Sequence, residues 1–229
     1  MIGVFDSGIG GEYTAKALHR LLPKEDILLL QDRKNAPYGT KSQDELRKIV
    51  NFNIRKLLDM GAERILIGCC TAGSVYDLVP TGIRRRATEI VTPTANAAMR
   101  SNPQRVAVIA TEATVRSHAF LTALRRLDGA VEVLELCSQE LVAFTERGDR
   151  DGTVSFDTAL YLDRLASRIS DFSPNTLILG CTHFPYLSRE IDARLRGVEI
   201  ISSADEGAKH MAMTVGESKN ESGRLVYLS

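Results

Sequence analysis

The sequence lacks the features of a membrane protein or of a nucleic-acid-binding protein. No apolar run approaches the roughly 18 residues that a transmembrane helix requires, and the chain begins directly in an apolar segment, residues 2–5, without the pattern of a signal peptide. Lysine plus arginine equals aspartate plus glutamate at 29 each, so the formal net charge is zero and no excess of positive charge is available for nucleic acid. We therefore expect a globular protein with neither a membrane nor a nucleic acid as its partner.

Cysteine is scarce as well. The four cysteines of this 229-residue chain do not have the spacing of a small disulfide-rich domain, so free thiols in a reducing, cytoplasmic compartment are expected. No Cys-x-x-Cys pair is present. A metal centre built from Cys69, Cys181 and His183 is disfavoured, because adjacent cysteines at 69 and 70 are poor geometry for one tetrahedral ion. We predict no bound metal, and we predict that Cys137 is a small buried apolar residue.

The glycine-rich segment near the N terminus matches neither common nucleotide-binding pattern. It reads Asp6-Ser7-Gly8-Ile9-Gly10-Gly11 and links a short strand to a helix. A dinucleotide fingerprint would need a third glycine where Tyr13 stands, and no Gly-Lys-Ser/Thr ending of a phosphate-binding loop follows. Two interpretations remain: a turn that binds a carboxylate through backbone N–H groups, or tight packing of the strand on the helix.

What the sequence does contain is an alternation of short apolar strands and amphipathic helices, which is typical of α/β folds with parallel sheets. The predicted strands cover residues 2–5, 26–31, 64–67, 89–92, 105–110, 131–136, 176–179, 198–201 and 224–228. The first predicted helix follows the glycine-rich turn and ends at Leu22, and another, within residues 71–86, is broken at Pro80. The other predicted helices cover residues 42–61, 96–100, 141–147, 157–169 and 205–215. Ser42 and Glu45 form a predicted capping box at the start of the longest of them.

The order of strand, turn and helix begins again at residue 105, which indicates two similar lobes of roughly 100 residues each. The loop 111–117 then corresponds to the turn after the first strand. We predict an α/β protein of two lobes, each a mostly parallel sheet flanked by helices, with the active site in the cleft between them. The first lobe covers 1–92, with 205–229 packing back on it, and the second covers 93–204, with the hinge near Pro93.

Two of the predicted strands end in the same dipeptide. The run 64–67 leads into Gly68-Cys69, and the run 176–179 leads into Gly180-Cys181, which Thr182 and His183 follow. Ligands bind at the carboxyl ends of the strands in open α/β sheets. The repeat therefore predicts one thiol from each half of the chain at a shared cleft.

The two thiols are compatible with several chemistries. A thiolate is a nucleophile and a general base, and its usual pKa of about 8.5 falls at a helix N terminus, which each Gly-Cys is predicted to precede. A hydrolase with one Cys–His pair would leave the second Gly-Cys unexplained, and a disulfide between the lobes is disfavoured in the cytosol. Two-base proton transfer, with one thiol on each face of a carbon atom, uses both. Taken alone, each cysteine could equally be a small buried apolar residue.

Five segments, in this order along the chain, resemble those of glutamate racemases in the aspartate/glutamate racemase superfamily. They are Asp6-Ser7-Gly8-Ile9-Gly10-Gly11, Pro37-Tyr38-Gly39-Thr40-Lys41, Gly68-Cys69-x-Thr71-Ala72, Thr111-x-Ala113-Thr114-Val115-x-Ser117 and Gly180-Cys181-Thr182-His183-Phe184-Pro185. The resemblance implies two α/β lobes with the site between them, an amino-acid substrate and no cofactor. It also implies a cytoplasmic enzyme that supplies D-glutamate for peptidoglycan, and a homodimer, since members are often dimers.

The resemblance further assigns roles to individual residues. It implies that Cys69 and Cys181 are the two acid/base thiols, with Asp6 and His183 as their supporting partners. The implied substrate-binding residues are Ser7, Pro37, Tyr38, Gly39, Cys70, Thr71, Thr114 and Thr182. Thr111 lies in the fourth segment, and a glutamate of the family aligns with Glu146 once one residue is inserted.

Three places differ from the family pattern. The segment that the family has as Cys-Pro-x-(Phe/Leu)-Val reads Cys137-Ser138-Gln139-Glu140-Leu141 here. Cys70 stands where the family has asparagine, and Ser202-Ser203 stands where Asp-Ser is expected. At a strand end, the Cys70 side chain is expected near the polar groups of the substrate, with the core as the alternative. Besides a glutamate racemase, the sequence is compatible with a related racemase of aspartate or another amino acid. It is also compatible with a non-catalytic paralogue that binds an amino acid or a protein, although both thiols and His183 are retained.

Overall fold

The computed structural model of the protein describes residues 1–216 and 220–228. Within these residues the strands are β1 (Ile2–Asp6), β2 (Ile27–Gln31), β3 (Arg64–Ile67), β4 (Ala87–Glu89), β5 (Arg105–Ala110), β6 (Glu132–Cys137), β7 (Thr176–Gly180), β8 (Glu199–Ser202) and β9 (Leu225–Leu228). The α-helices are α1 (Gly10–Leu21), α2 (Gln43–Asp59), α3 (Cys70–Gly73), α4 (Thr81–Arg84), α5 (Val91–Ala98), α6 (Glu112–Ser117), α7 (Ala119–Leu127), α8 (Gln139–Glu146), α9 (Phe156–Phe172), α10 (Ser188–Arg194) and α11 (Ser203–Thr214).

These strands form two parallel sheets. The first has the order β4-β3-β1-β2-β9 and the second has the order β6-β5-β7-β8, with every pairing parallel. Strands β1, β2 and β7 are buried along their whole length, and parallel sheets covered on both faces by helices require such apolar runs. The predicted α/β class, with two parallel sheets flanked by helices, is confirmed.

One apolar core joins the two sheets. It combines Val4 and Leu29 of the first sheet with Val108 and Ile178 of the second. Helix α11 packs on α1 and α5, and it contacts β3 in one sheet and β7 in the other. This shared core brings the carboxyl ends of β1 and β3 to the same cleft as those of β5 and β7.

The C-terminal segment returns to the first sheet, where β9 pairs with β2. The lobe boundaries themselves, 1–92 with 205–229 and 93–204, stay a prediction. Residues 217–219 and 229, which fall within the returning segment, lie outside the described residues. None of the helices in 1–216 and 220–228 has both the length and the apolar character needed to cross a membrane.

The start and the buried face of helix α2 are both determined by its local sequence. Ser42 Oγ accepts a hydrogen bond from the backbone N–H of Glu45, and Glu45 Oε2 accepts one from the backbone N–H of Ser42. This confirms the predicted capping box, which satisfies two of the N–H groups that a helix start leaves unpaired. Leu46, Val50 and Ile54 are the buried stripe of the helix.

The region around Pro93 differs from the prediction. The strand expected at 89–92 ends at Glu89, and Pro93 lies in the first turn of α5 rather than in a hinge loop. The Glu89 carboxylate accepts hydrogen bonds from the N–H groups of Val91 and Thr92, so the chain turns into a helix directly after β4. Proline is tolerated there because the first N–H groups of a helix have no partner within it.

Three further expectations are wrong. Residues 112–117 form helix α6 rather than a loop. The chain after Cys181 first forms a 3-10 turn at Phe184–Leu187, so no α-helix begins directly at that thiol. Cys137 is exposed, not buried, because it ends β6, which is an edge strand of its sheet.

Candidate active site

A cavity of about 350 Å³ lies where the two sheets meet. Both predicted acid/base thiols open onto it. Cys69 follows β3 of the first sheet and Cys181 follows β7 of the second, and each is only 6 % exposed. The other predicted residues in its wall are Ser7, Pro37, Tyr38, Gly39, Thr71, Thr111, Glu146, Thr182 and His183. The structure thus brings together residues from the five motif segments and Glu146, which lies outside them.

The glycine before each cysteine has a packing reason. A Cβ atom on Gly180 would lie 2.8 Å from the backbone oxygen of Ile109 and 2.8 Å from the ring of Phe120. A Cβ atom on Gly68 would lie 3.0 Å from a methyl group of Val4. Each strand end is therefore pressed against its neighbouring strand, which fixes the position of the thiol that follows.

His183 connects Cys181 to Glu146. Its Nδ1 lies 3.7 Å from the Cys181 sulfur, and its Nε2 lies 2.7 Å from Glu146 Oε1. Burial by itself would lower the pKa of His183, but the hydrogen bonds with Cys181 and Glu146 and the charge of Asp6 raise it to about 10. The hydrogen bond from His183 also lowers the pKa of Glu146. The ring is therefore an imidazolium at neutral pH and donates from both nitrogen atoms.

Asp6 lies behind the wall and is completely buried. Its carboxylate accepts hydrogen bonds from Thr182 Oγ1 at 2.8 Å, from the Gly8 N–H at 3.1 Å and from Ser7 Oγ at 3.3 Å. Burial raises the pKa of Asp6 to about 6, against the lowering effect of His183 and these hydrogen bonds. Burial, followed by the negative charge of Asp6, raises the pKa of Cys69 well above its ordinary value.

Three threonine hydroxyls form a closed ring across the cleft. Thr71 Oγ1 lies 2.8 Å from Thr111 Oγ1 and 3.3 Å from Thr114 Oγ1, and Thr111 and Thr114 are 2.9 Å apart. Thr71 and Thr111 line the cavity, whereas Thr114 lies behind them. A carboxylate can accept hydrogen bonds from hydroxyls at this position, with Thr114 acting only through its two neighbours.

The hydroxyl of Tyr38 is not available to a ligand in the cavity. It donates to Asp32 Oδ2 at 2.7 Å and accepts from Asn53 Nδ2 at 3.0 Å, while Asn53 Nδ2 also lies 3.0 Å from Asp32 Oδ2. Burial, followed by the hydrogen bond to Asp32, raises the pKa of Tyr38. The network anchors the segment from Pro37 to Gly39, so this segment meets a ligand mainly with its backbone.

Sequence reasoning missed part of the site. Asp32 and Asn53 hold Tyr38, and the buried polar Asn53 on the apolar face of α2 was the signal for a partner nearby. Gly8 lines the wall and lies within the first motif, although it was not predicted as a site residue. The wall residues outside the motifs are Arg33, Ala36, Gln139 and Val142.

Cys70 does not reach the cavity. Its side chain is buried in the core that joins the sheets, and its thiol donates to Ser203 Oγ at 3.1 Å. Ser203 Oγ in turn donates to the backbone oxygen of Leu179 at 2.7 Å. Burial raises the pKa of Cys70 well above its ordinary value, so the residue stays a neutral thiol. The structure thus places Cys70 in the alternative position, the core, and not beside a substrate.

Replacing Cys70 with asparagine is expected to lower stability and to leave substrate affinity unchanged. An amide brings two donors to a site that offers one hydroxyl oxygen, and a buried unpaired polar group costs about 1–3 kcal/mol. At about 2–4 °C per kcal/mol for a chain of this size, the melting temperature should fall by several degrees. The matched control is Cys137→Asn at an exposed position, which should melt like the wild type. A changed KM with an unchanged melting temperature would contradict this placement.

Among residues 1–216 and 220–228, no group of three or more His, Cys, Asp and Glu side chains is arranged to hold a metal ion.

Comparisons with known proteins indicate one family. A family model described as Asp/Glu/Hydantoin racemase matches residues 2–211. The glutamate racemase of Bacillus cereus is 32 % identical over 221 residues, which are 95 % of this chain and 81 % of that protein. The crystal structure of glutamate racemase from Francisella tularensis in complex with D-glutamate superposes with a TM-score of 0.87 at 29 % identity, over 100 % of this chain and 88 % of that one. Glutamate racemase from Thermus thermophilus in complex with β-chloro-D-alanine gives a TM-score of 0.82 at 31 % identity, over 99 % and 86 %.

Proposed function

The chain belongs to the Asp/Glu/Hydantoin racemase family, and we propose that it is a glutamate racemase that inverts Cα by proton transfer between Cys69 and Cys181. The observation that carries the proposal is that these two thiols, from the ends of β3 and β7, open onto one cavity. The Bacillus cereus relative supports glutamate as the substrate. The Francisella tularensis neighbour, which has D-glutamate bound, supports the same assignment.

The two thiols differ in their surroundings, which gives them different roles at rest. The His183 imidazolium faces the Cys181 sulfur and stabilises negative charge there. Burial and Asp6 keep the proton on Cys69. In this proposal Cys181 acts as the base and Cys69 as the acid for one enantiomer.

The reaction then requires no group beyond the chain and the substrate. The Cys181 thiolate takes the Cα proton of one enantiomer, which breaks the Cα–H bond and leaves its electron pair on the substrate. The Cys69 thiol delivers its proton to the opposite face of Cα, so the opposite enantiomer forms. For the other enantiomer the same two steps run in reverse, from a Cys69 thiolate and a Cys181 thiol.

The remaining wall residues hold the substrate in this proposal. Thr71 and Thr111 offer hydroxyls, and Thr182 Oγ1, which donates to Asp6, can accept a hydrogen bond from the substrate's ammonium group. Ser7 with the segment Pro37 to Gly39 offers mainly backbone groups. Such fixed hydrogen bonds orient Cα between the two sulfur atoms and stabilise charge that develops on the α-carboxylate.

The proposal is tested by incubating the purified protein with L-glutamate and, separately, with D-glutamate. The optical rotation should decay to zero from either enantiomer without any added cofactor. Parallel incubations with aspartate and with neutral amino acids are the comparison. Turnover of another amino acid in place of glutamate would identify a related racemase, and turnover of none would identify a binding protein.

Racemisation is expected to survive dialysis against a metal chelator. Both bases and both acids of the proposed reaction are side chains, so a metal ion has no step to perform. The measurement is the rate before dialysis, after dialysis and after adding Zn²⁺ back. Loss of activity on dialysis that zinc restores would favour the Cys69, Cys181 and His183 metal centre instead.

The cellular role follows from family membership alone and is part of the proposal. We propose a cytoplasmic enzyme that supplies D-glutamate for peptidoglycan. Rescue of a bacterial strain that requires external D-glutamate would support this role, and the homodimer stays a prediction for a sedimentation measurement.

A further inference from the structure

We infer that Ser203 and Cys70 are positioning residues, which hold the two proposed acid/base thiols at a fixed separation across the cavity. The inference deepens the proposed function and rests on it for the roles of Cys69 and Cys181. Cys70 directly follows the first of these thiols in the chain, and Leu179 precedes the second by two residues. The hydroxyl of Ser203 is hydrogen-bonded to both of these neighbours.

The Ser203 hydroxyl links the two halves of the site through the core. It accepts a hydrogen bond from the Cys70 thiol, with Sγ and Oγ 3.1 Å apart, and it donates to the backbone oxygen of Leu179 at 2.7 Å. The hydroxyl has one proton to give and lone pairs to accept with, so both bonds form at once. Both side chains are buried, so water does not compete for the link.

The link is rigid on the side of the second sheet. Ser203 begins α11 directly after β8, and β8 pairs with β7 so that Ser202 lies opposite Leu179. The Ser202 side chain accepts a hydrogen bond from the N–H of Asp205 and thereby fixes the start of α11. The hydrogen bond from Cys70 is therefore the part of the link that reaches the first sheet.

Hydrogen bonds at the cavity also join the two halves, but a substrate changes their surroundings. Thr71, Thr111 and Thr182 take part in them, and all three line the cavity. Ser203 and Cys70 do not line it. Their link therefore stays the same before and after a substrate binds, which suits it to set the separation of the thiols.

The separation matters because inversion uses both faces of one carbon atom. Cα must lie within reach of both sulfur atoms, and a misplacement of about 1 Å can cost about a hundredfold in rate. Elimination of chloride from an analogue of glutamate with chlorine on Cβ needs only one base. That base takes the Cα proton, the freed electron pair forms a Cα–Cβ double bond, and chloride leaves with its own bonding pair. The analogue can settle against either thiol, so elimination tolerates a changed separation.

The experiment measures both reactions in Ser203→Ala, Cys70→Ala and Cys70→Ser. Ser203→Ala should lower kcat for racemisation of glutamate by about tenfold to a hundredfold, with KM unchanged and elimination within about twofold of the wild type. Cys70→Ala should behave in the same way, whereas Cys70→Ser keeps a donor and should restore most of the rate. The double variant with both alanines should lose no more than the worse single variant, because both changes break one link. If Ser203→Ala does not fold, the two Cys70 variants decide the question.

The matched control is Thr158→Ala, which removes an equally buried hydroxyl outside the cavity wall. Thr158 Oγ1 donates to Asp149 and accepts from Ser155, so this variant also loses two hydrogen bonds. It should melt at a lower temperature than the wild type, as Ser203→Ala should, but it should racemise glutamate at the wild-type rate. All rates are compared well below the lowest melting temperature.

A crystallographic measurement keeps this inference separate from the proposed function. The distance between the sulfur atoms of Cys69 and Cys181 is compared among wild type, Ser203→Ala and Thr158→Ala in one crystal form. It should change in Ser203→Ala and not in Thr158→Ala. If the wild type racemises no amino acid while this distance still changes, the proposed function fails and the positioning role stands.

Three results overturn the inference and leave the proposed function intact, provided that the wild type racemises glutamate. The first is wild-type racemisation by Ser203→Ala. The second is an equal fall of racemisation and elimination in that variant, or an equal fall of racemisation in Thr158→Ala, since either would mean general damage to the fold. The third is an unchanged distance between the two sulfur atoms in Ser203→Ala.

Discussion

Cys69→Ser and Cys181→Ser are each expected to lower racemisation of glutamate by at least about a hundredfold to ten-thousandfold, the contribution of a positioned general acid or base. A serine hydroxyl has nearly the shape of a thiol but is a far weaker acid, and its anion does not form at neutral pH. Because the two thiols act on opposite faces of Cα, loss of either one should stop inversion in both directions.

The fold should survive both substitutions, since each replaces sulfur by oxygen in the wall of a cavity. Cys137→Ser at the exposed cysteine is the matched control and should racemise like the wild type. The two variants should also differ from each other. Each keeps one base, so each should still expel a leaving group at Cβ from one enantiomer of a substrate analogue, and the two variants should select opposite enantiomers. Wild-type racemisation by either variant would show that its thiol is not a base.

The second large effect is expected from His183→Gln. This change removes the positive charge that faces the Cys181 sulfur and is paired with Glu146. The thiolate then loses its stabilisation, and kcat should fall by about a hundredfold. Glu146→Gln keeps a hydrogen-bond acceptor for the His183 ring, so the fall in kcat in this variant should be smaller, about tenfold.

The pH dependence of kcat should identify the same groups. The pKa of His183 is raised to about 10, so the imidazolium, and with it kcat, is lost as the pH rises through that value. The pKa of Asp6 is raised to about 6, so its charge is lost as the pH falls through that value and activity declines again. In His183→Gln the decline near pH 10 should disappear, and the acid decline should move to higher pH because the charge of His183 no longer lowers the pKa of Asp6. If kcat of this variant still fell near pH 10, the alkaline decline would belong to a group other than His183.

The sequence predicts the central strands and the position of the two thiols, for a physical reason. β5 was predicted over its observed range, Arg105–Ala110, and β2 to within one residue, because strands buried on both faces are uninterrupted apolar runs. Helix α2 was predicted for an equally local reason, its capping box and its apolar stripe. The repeated Gly-Cys at two such strand ends then placed both thiols at one cleft, since carboxyl ends of parallel strands share an edge.

What the sequence could not provide depends on contacts between distant elements. The exposure of Cys137 follows from β6 being an edge strand, and sheet order is not encoded in a local pattern. The direction of Cys70 follows from Ser203, which arrives on α11 from the far end of the chain. Arg33 and Gln139 reach the cavity from a short 3-10 turn and from a helix start, where no periodicity marks which side faces a ligand.

The most direct test of two-base inversion is the isotope pattern of the reaction run in deuterium oxide. L-glutamate is incubated with the enzyme, stopped at low conversion, and both enantiomers are separated and analysed at Cα. If Cys181 and Cys69 act on opposite faces, the new D-glutamate carries deuterium from a solvent-exchanged thiol, while the remaining L-glutamate keeps its original proton. Starting from D-glutamate, the pattern should be mirrored. Deuterium in the recovered starting enantiomer at the rate at which product forms, or product that retains the original proton, would mean that one base serves both faces and would contradict the assignment of two thiols.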